Sequence, residues 1–499
     1  MGFSNWFRKE VIIVEPTAEE VFNAKIDVLG LSDRYGWQPW AVSTLYILSM
    51  CVFIMVGVDC LLSRVQDGKR EGSSSTAAVL DAKTAVSFRA FQVQYLVAYL
   101  LIMLADWLQG TNMYTLYSSY GVDVGLLFQT GFLSSAVFGT FLGIYVDKWG
   151  RRLGCIVFCL LEIIINSLEH VNDMTLLIIG RIMGGMSTSL LFSAFESWMV
   201  SEHRKRGFPE DLIAQTNSFA SSGNGLVAIL AGLLAQRACD VAGDIGPFQL
   251  AIVLTVVVLG LVMMWPENFG TSSAEKSGEQ VGVSGVVKET MGVLDLCRAQ
   301  TNIWCLGISQ AFFEGAVYSF VFMWVPSLQA VSGAEPIPTG LVFSCFMLAM
   351  TCGGFLTTLL LPIMPGGNLG ISIFAYFVSG ACMLVPVFTF TFTPVFVSFL
   401  MLEAMVGMFN SAGATLRSEL YPEGAQSSII SLFRLPLNAL VVYGTSISNS
   451  AGSDIEKLQG VCIALSIMFG VSVTLLSYVF VTGTGRRRLA DDINKMKAD

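Results

Sequence analysis

The feature that most constrains this chain is a run of apolar stretches, most about 20 residues or longer, recurring from near residue 41 to near residue 483. At 1.5 Å of rise per residue, each can cross the hydrocarbon core of a bilayer as one helix. Thirteen are distinguishable. One stands apart at 41–63. Six follow near 93–120, 125–146, 153–170, 174–200, 214–238 and 246–265, and six more near 302–328, 339–361, 370–390, 394–418, 425–447 and 456–483. Only 13% of the 499 residues are charged and 54% are hydrophobic, whereas a soluble domain carries about 25% charge. The expected fold is an all-α membrane protein. It would have six-helix bundles at 93–265 and 301–483 and one extra N-terminal transmembrane helix at 41–63. A tail precedes it at 1–40, a polar linker follows at 64–92, a central loop covers 266–300, and a C-terminal tail covers 484–499.

Basic residues fall on one set of loops. These carry Lys148, Arg151 and Arg152; Arg204, Lys205 and Arg206; Lys276, Lys288 and Arg298; and Arg486 to Arg488. The linker adds Arg64, Lys69, Arg70, Lys83 and Arg89, while the opposite loops carry Asp123, Asp173, Asp244, Glu335 and Asp454. By the positive-inside rule the linker, central loop and C-terminus are expected in the cytoplasm and residues 1–40 outside. No cleavable leader is expected, since the first apolar run begins near Ala41. A net charge of −9 without a basic patch argues against nucleic acid. The absence of a Walker-type loop from the sequence argues against ATP-driven transport. The 11 cysteines read as buried small hydrophobes, and His170 and His203 as solvated groups at span ends. No cofactor, metal site or catalytic constellation is expected.

The two sets of six spans share internal similarity. Arg181, Gly185, Met186 and Ser189 in the fourth core span match Glu403, Gly407, Met408 and Ser411 in the tenth at a constant shift of 222. Phe219, Asn224, Leu226 and Val227 match Phe433, Asn438, Leu440 and Val441 at a shift of 214. Two pseudo-symmetric halves with a site between them follow from this pattern. Gly131, Ser135, Gly139 and Gly143 form a small-residue stripe on the second core span, which suits close helix packing.

The segment Gly143-Ile-Tyr-Val-Asp147-Lys148-Trp-Gly150-Arg151-Arg152 resembles the major facilitator signature between the second and third core helices. Asp147 there sits at a helix end beside basic residues, placed to latch one state or simply to form a polar turn. Glu196 lies about 22 Å along the helix from Arg181 by the 1.5 Å rise, so it belongs near the same end. Asp147, Arg151, Arg152 and Glu196 are therefore candidates for a cytoplasmic gate.

Ionisable residues within apolar spans are costly unless compensated, and so point to function. Asp106, Arg181, Glu314, Glu403 and Arg434 are such residues. Gln310 and Glu314 share a helical face, as do Arg434 and Asn438, being four residues apart. Asp106, Glu314 and Glu403 are candidates for coupling. Asp106 with Arg181 is one reading of an ion pair, structural or coupling. Arg434 has no acid on its own helix and is the leading substrate ligand, with Asn438, Asn224, Arg181, Gln109 and Gln310 as further candidates. A guanidinium offers a planar fork of donors that suits an oxyanion better than an ammonium does. The set favours a small anion without identifying it.

Longer motifs carry a closer likeness. Gly180-Arg181-x2-Gly184-Gly185-x2-Thr188-Ser189-Leu190-Leu191-Phe192-Ser193-Ala194-Phe195-Glu196-Ser197-Trp198 runs into Glu202-His203-x-Lys205-Arg206-Gly207-Phe208. Asp106 to Gly110, Gly223 to Ala228, Trp265-x-Glu267-Asn268, Phe313-Glu314-Gly315 and Phe433-Arg434-x-Pro436-Leu437-Asn438 add to it. Over residues 41–480 the chain resembles the molybdate-anion transporter family, a eukaryotic branch of the major facilitator superfamily. The resemblance implies molybdate uptake by a secondary active transporter of twelve or thirteen spans, the early helix being a family trait. A multi-pass protein of the plasma membrane is expected, with molybdate or a related oxyanion and the lipid bilayer as partners and a coupled proton as a candidate. Carriage of sulfate or a small organic solute, or a non-transporting membrane sensor, are the alternatives.

Overall fold

A computed structural model describes residues 26–70, 82–139, 142–269, 294–295, 297–333, 336–422, 426–448 and 454–498. The elements are helices α1 (Leu31–Tyr35), α2 (Pro39–Arg70), α3 (Ala82–Tyr120), α4 (Val124–Gly139), α5 (Leu142–Trp149), α6 (Arg151–Leu168), α7 (Met174–Lys205), α8 (Asp211–Ala242) and α9 (Gly246–Met263). The second half adds α10 (Thr301–Ser332), α11 (Thr339–Leu360), α12 (Asn368–Phe388), α13 (Phe392–Leu420), α14 (Gln426–Ser448) and α15 (Asp454–Ala498). Nine described stretches are long and apolar enough to cross a membrane. α6 stays out of that set because it carries Arg151, Arg152 and Glu162. Several helices overrun their apolar runs. α3 begins at Ala82 rather than near 93, and α15 continues past 483 into the charged tail. Hydropathy marks the lipid-facing portion of a helix but not its ends.

The two halves pack alike. In the first, α4 and α6 pack on α7, α6 on α9, and α3 on both α8 and α9. In the second, α11 and α12 pack on α13, α12 on α15, and α10 on both α14 and α15. The contacts between halves, α8 with α11 and α4 with α14, also exchange under the same operation. This is the pseudo-two-fold of a major facilitator fold. The small-residue stripe serves packing. A Cβ on Gly185 of α7 would come 2.4 Å from the Ser135 backbone nitrogen of α4, and one on Gly131 would meet Arg181. Ser134 Oγ donates to the Ile182 carbonyl at 2.6 Å across the same seam.

The end of the molecule bearing Asp123, Asp173 and Asp244, here the acidic end, is sealed between halves. Gly232 and Gly340 bring the α8 and α11 backbones together, and Ser344 Oγ donates to the Ile229 carbonyl at 2.9 Å. Gln129 Nε2 reaches Thr445 Oγ1 at 3.2 Å and Ser446 Oγ at 3.1 Å, while Phe322 packs against Phe128 and Tyr114. Outside this seal a recess of about 650 Å³ is lined in part by Tyr114, Asp123, Gln329 and Lys457. The opposite, basic end is open. Thr188, Phe192 and Glu196 on α7 and their repeat-related Asn410, Ala414 and Ser418 on α13 form two exposed stripes. The remaining faces of these helices pack on α4 and α6, or on α11 and α12, so both stripes look into a cavity between the halves.

The extra helix α2 lies outside this cavity, packed on α11 of the second half. The turn before it reaches back to the first half. Trp37 Nε1 donates to Asp240 Oδ2 at 2.8 Å, and Arg237 stands 4.3 Å over the Tyr35 ring. Trp37, Ala41 and Val42 bury themselves with Leu341 of α11.

Candidate functional site

A carboxylate, an amide and an arginine meet in the wall of the second half, with a second arginine within electrostatic reach. Gly307 of α10 lies under the Phe433 ring, where a Cβ would come 2.1 Å from Cε2. That close approach brings α14, and with it Arg434, against the face of α10 that carries Gln310 and Glu314. Arg417 of α13 completes the group. Its Nη1 donates to Gln310 Oε1 at 3.3 Å and lies 3.9 Å from Glu314 Oε1. Gln310 Nε2 in turn donates to the Gly413 carbonyl at 3.4 Å. Glu314 is within electrostatic reach of both Arg417 and Arg434. The Glu314 and Arg417 side chains stay 32% and 24% exposed, and Arg434 is exposed. Asn438, one turn beyond, is half-buried. Arg417 was not among the sequence candidates. It lies three residues from the end of α13, where an arginine reads as a helix-end charge; only its contact with Gln310 marks it out.

The first half holds a different arrangement. Arg181 pairs with Glu169, Nη2 to Oε1 at 3.1 Å, with the side chains 12% and 1% exposed. Tyr117 donates to the same Oε1 at 2.7 Å, and Arg181 Nη1 reaches Met113 Sδ at 3.0 Å. The Asp106–Arg181 pair considered from the sequence does not form. Arg181 is about 10 Å from the acidic end of α7 and Asp106 about 21 Å from that of α3, at 1.5 Å per residue. Asp106 is half-buried and makes no hydrogen bond among the described residues. Gln109 is committed to Glu162, donating from Nε2 to Oε2 at 2.8 Å. Ser187 Oγ donates to Glu162 Oε1 at 2.5 Å and Asn166 Nδ2 to Oε2 at 3.3 Å. Glu162 and Glu169, both buried, were not among the sequence candidates. Asn224 Oδ1 accepts from Trp107 Nε1 at 2.9 Å. Glu403 is buried, with Oε2 unpartnered among the described residues.

At the basic end, Arg151 Nη1 donates to the Ser197 carbonyl at 3.1 Å, and Arg152 Nη2 to the Met263 carbonyl at 2.7 Å. The Glu267 carboxylate accepts from the backbone N–H of Arg152 at 2.9 Å and Leu153 at 3.1 Å, at the start of α6 where orphan donors favour an anion. Gly150, at φ +124°, lets the chain pass beneath that carboxylate. Trp198 stacks on Trp265 at 3.8 Å and donates to the Pro266 carbonyl at 2.9 Å. Glu196 is exposed nearby. Asp147 sits on α5, its side chain outside those described. His203 is not solvated as expected: it is fully buried, its Nε2 2.8 Å from the Pro209 carbonyl, because the 206–210 turn folds back over it.

A carrier scaffold with a charged cavity is therefore in place, and similarity to known proteins agrees. A family profile described as sugar transporters, 12 TM, matches residues 51–410. The molybdate-anion transporter of Xenopus tropicalis is 29% identical over 465 residues, covering 89% of this chain and 97% of that one. That of Takifugu rubripes is 34% identical over 400 residues, covering 72% and 79%. Among solved structures, the nucleoside transporter NupG superposes with a TM-score of 0.60 at 12% identity, covering 79% of this chain and 99% of its own. A D-xylose-proton symporter gives 0.57 at 14%, covering 77% and 97%. With the major facilitator fold and both sequence matches, this multi-pass membrane protein is a transporter, not an enzyme, and belongs to the molybdate-anion transporter family.

Proposed function

We propose that the chain takes up molybdate across the plasma membrane by alternating access, with the basic end and the C-terminus in the cytoplasm. The observation that carries this reading is the Arg417–Gln310–Glu314–Arg434 group, partly exposed on the wall of the second half. Two guanidinium forks suit a tetrahedral oxyanion, and the two sequence relatives described above are named for that anion. Arg434 is the principal ligand, helped by Asn438 and, from the facing half, by the amide N–H of Asn224. Arg181, Gln109 and Gln310 keep supporting roles. The contacts of Arg181 with Glu169 and of Gln109 with Glu162 support a bracing part for the first two. Glu314 is the foremost candidate for proton coupling, ahead of Asp106 and Glu403, because it alone of the three lies beside the arginines. Asp147, Arg151, Arg152 and Glu196 form the cytoplasmic gate. Sulfate is the rival cargo, having the same charge and shape.

Uptake of labelled molybdate into cells lacking their own carrier, with sulfate as competitor, tests the reading. Saturable molybdate uptake that excess sulfate fails to suppress supports it. Uptake suppressed equally by equimolar sulfate points to a general oxyanion carrier, and no uptake above control cells refutes it.

A further inference from the structure

We propose that Arg417 is a second anion ligand held in reserve by Glu314: the entering dianion takes Arg417 from Glu314, and the released carboxylate takes up a proton. This rests on the cavity being an oxyanion site. The Arg417–Glu314 separation of 3.9 Å is too long for a charge-assisted hydrogen bond. Both side chains are open to the cavity. The pair is therefore poised for exchange, unlike Arg181, which Glu169 and Tyr117 hold in a closed network at 3.1 Å and 2.7 Å.

Gln310 makes the exchange specific. It accepts from Arg417 and is itself anchored on the Gly413 carbonyl, one turn from Arg417 on the same helix. A neutral amide fixes the direction of the guanidinium without cancelling its charge, so Arg417 stays oriented after Glu314 leaves.

Charge balance then defines the coupling. Arg417 and Arg434 bring two positive charges and Glu314 one negative, leaving one net positive in the empty site. A tetrahedral dianion brings two negative charges, leaving one net negative. One proton, moving from solvent to a Glu314 carboxylate oxygen, brings the loaded site to neutrality. The other ionisable groups facing Glu314 are the phenols of Tyr318 on its own helix, Tyr376 on α12 and Tyr421 just past α13. Phenols are already protonated at neutral pH, so the carboxylate is the group that can accept the proton. On release of the anion to the cytoplasm, Glu314 gives up its proton and re-engages Arg417, which returns an empty carrier of unchanged charge.

The test uses purified full-length protein in lipid nanodiscs with molybdate as the probe. Binding is followed by calorimetry, and proton uptake by a pH dye in weak buffer. The wild type is expected to bind molybdate and take up about one proton per anion. Glu314→Gln, an isosteric change, is expected to bind about fivefold more tightly at neutral pH, since an open ion pair no longer competes. It should take up no proton, and in vesicles it should lose accumulation driven by a proton gradient. Arg417→Gln should weaken binding at least as strongly as Arg434→Lys does. Arg417→Lys, which keeps the charge, should retain proton uptake with weakened affinity. If the wild type binds molybdate but Glu314→Gln binds no more tightly and takes up the same proton, the exchange is refuted while the transport reading stands. If the wild type neither binds nor carries molybdate, both fall.

Discussion

Gly340 offers a direct handle on alternating access. Any L-residue at 340 places its Cβ 2.4 Å from the Gly232 carbonyl oxygen and 2.7 Å from the Gln236 backbone nitrogen. Both obstacles are backbone atoms of α8, so no side-chain rotation relieves them. The helices must part by roughly 1 Å to restore ordinary contact. Overpacking of this kind costs about 1–3 kcal/mol. The cost falls only on the state in which α8 and α11 touch, the one sealed at the acidic end. Gly340→Ala should therefore move the equilibrium toward opening at that end by a factor of about 5–150. The reporter is a cysteine at Ser411, exposed on the basic half of α13, in a background lacking the exposed Cys60. A membrane-impermeant thiol reagent should label it from the basic side in the parent. In Gly340→Ala, basic-side labelling should fall and acidic-side labelling should rise. Unchanged labelling from both sides, in protein that folds and reaches the membrane, would refute the argument that this glycine contact seals the acidic end.

Arg434→Lys keeps the charge but loses the planar fork, so molybdate uptake should lose affinity by about tenfold or more while surface expression persists; near-normal affinity there, with lost uptake in Arg181→Lys, would transfer the ligand role to Arg181. Glu169→Gln leaves Arg181 without its buried partner, an event that costs about 3–5 kcal/mol; a lower melting temperature with retained molybdate affinity in the surviving protein is expected, and the reverse would make Arg181 part of the binding site. Asp147→Asn should shift the balance of basic-side and acidic-side labelling at Ser411→Cys without altering preference for molybdate over sulfate, and a labelling pattern identical to the parent's counts against a gate.

The architecture was legible because lipid forces regularity on sequence. With no water to satisfy the backbone, each span must be a helix, and apolar runs announce helices. The repeat of Phe219 and Asn224 in Phe433 and Asn438 announced two halves, and the packing of α3–α9 and α10–α15 repeats helix for helix. The ends of helices were less visible. The start of α3 at Ala82 and the continuation of α15 beyond 483 lie in polar sequence that helical hydrogen bonds tolerate as well as apolar sequence does.

The charged residues of the site followed a harder rule. Finding an arginine or an acid in an apolar run is easy; its meaning depends on a partner from another helix. Arg181 and Arg434 both stand within apolar spans, and sequence offered Arg181 only Asp106 as a partner and Arg434 none on its own helix. Glu169, at the end of α6 and 12 residues from Arg181, turns the first into a buried brace with Tyr117. Nothing comparable encloses Arg434, which stays exposed beside a half-open Glu314. Arg417 shows the converse. It lies near a helix end and went unremarked in the sequence, yet it donates to Gln310, over a hundred residues earlier. What separates a brace from a ligand here is whether a carboxylate encloses the guanidinium or merely faces it, and that difference of 3.1 Å against 3.9 Å is set by packing between helices, not by the residues on either side of the arginine.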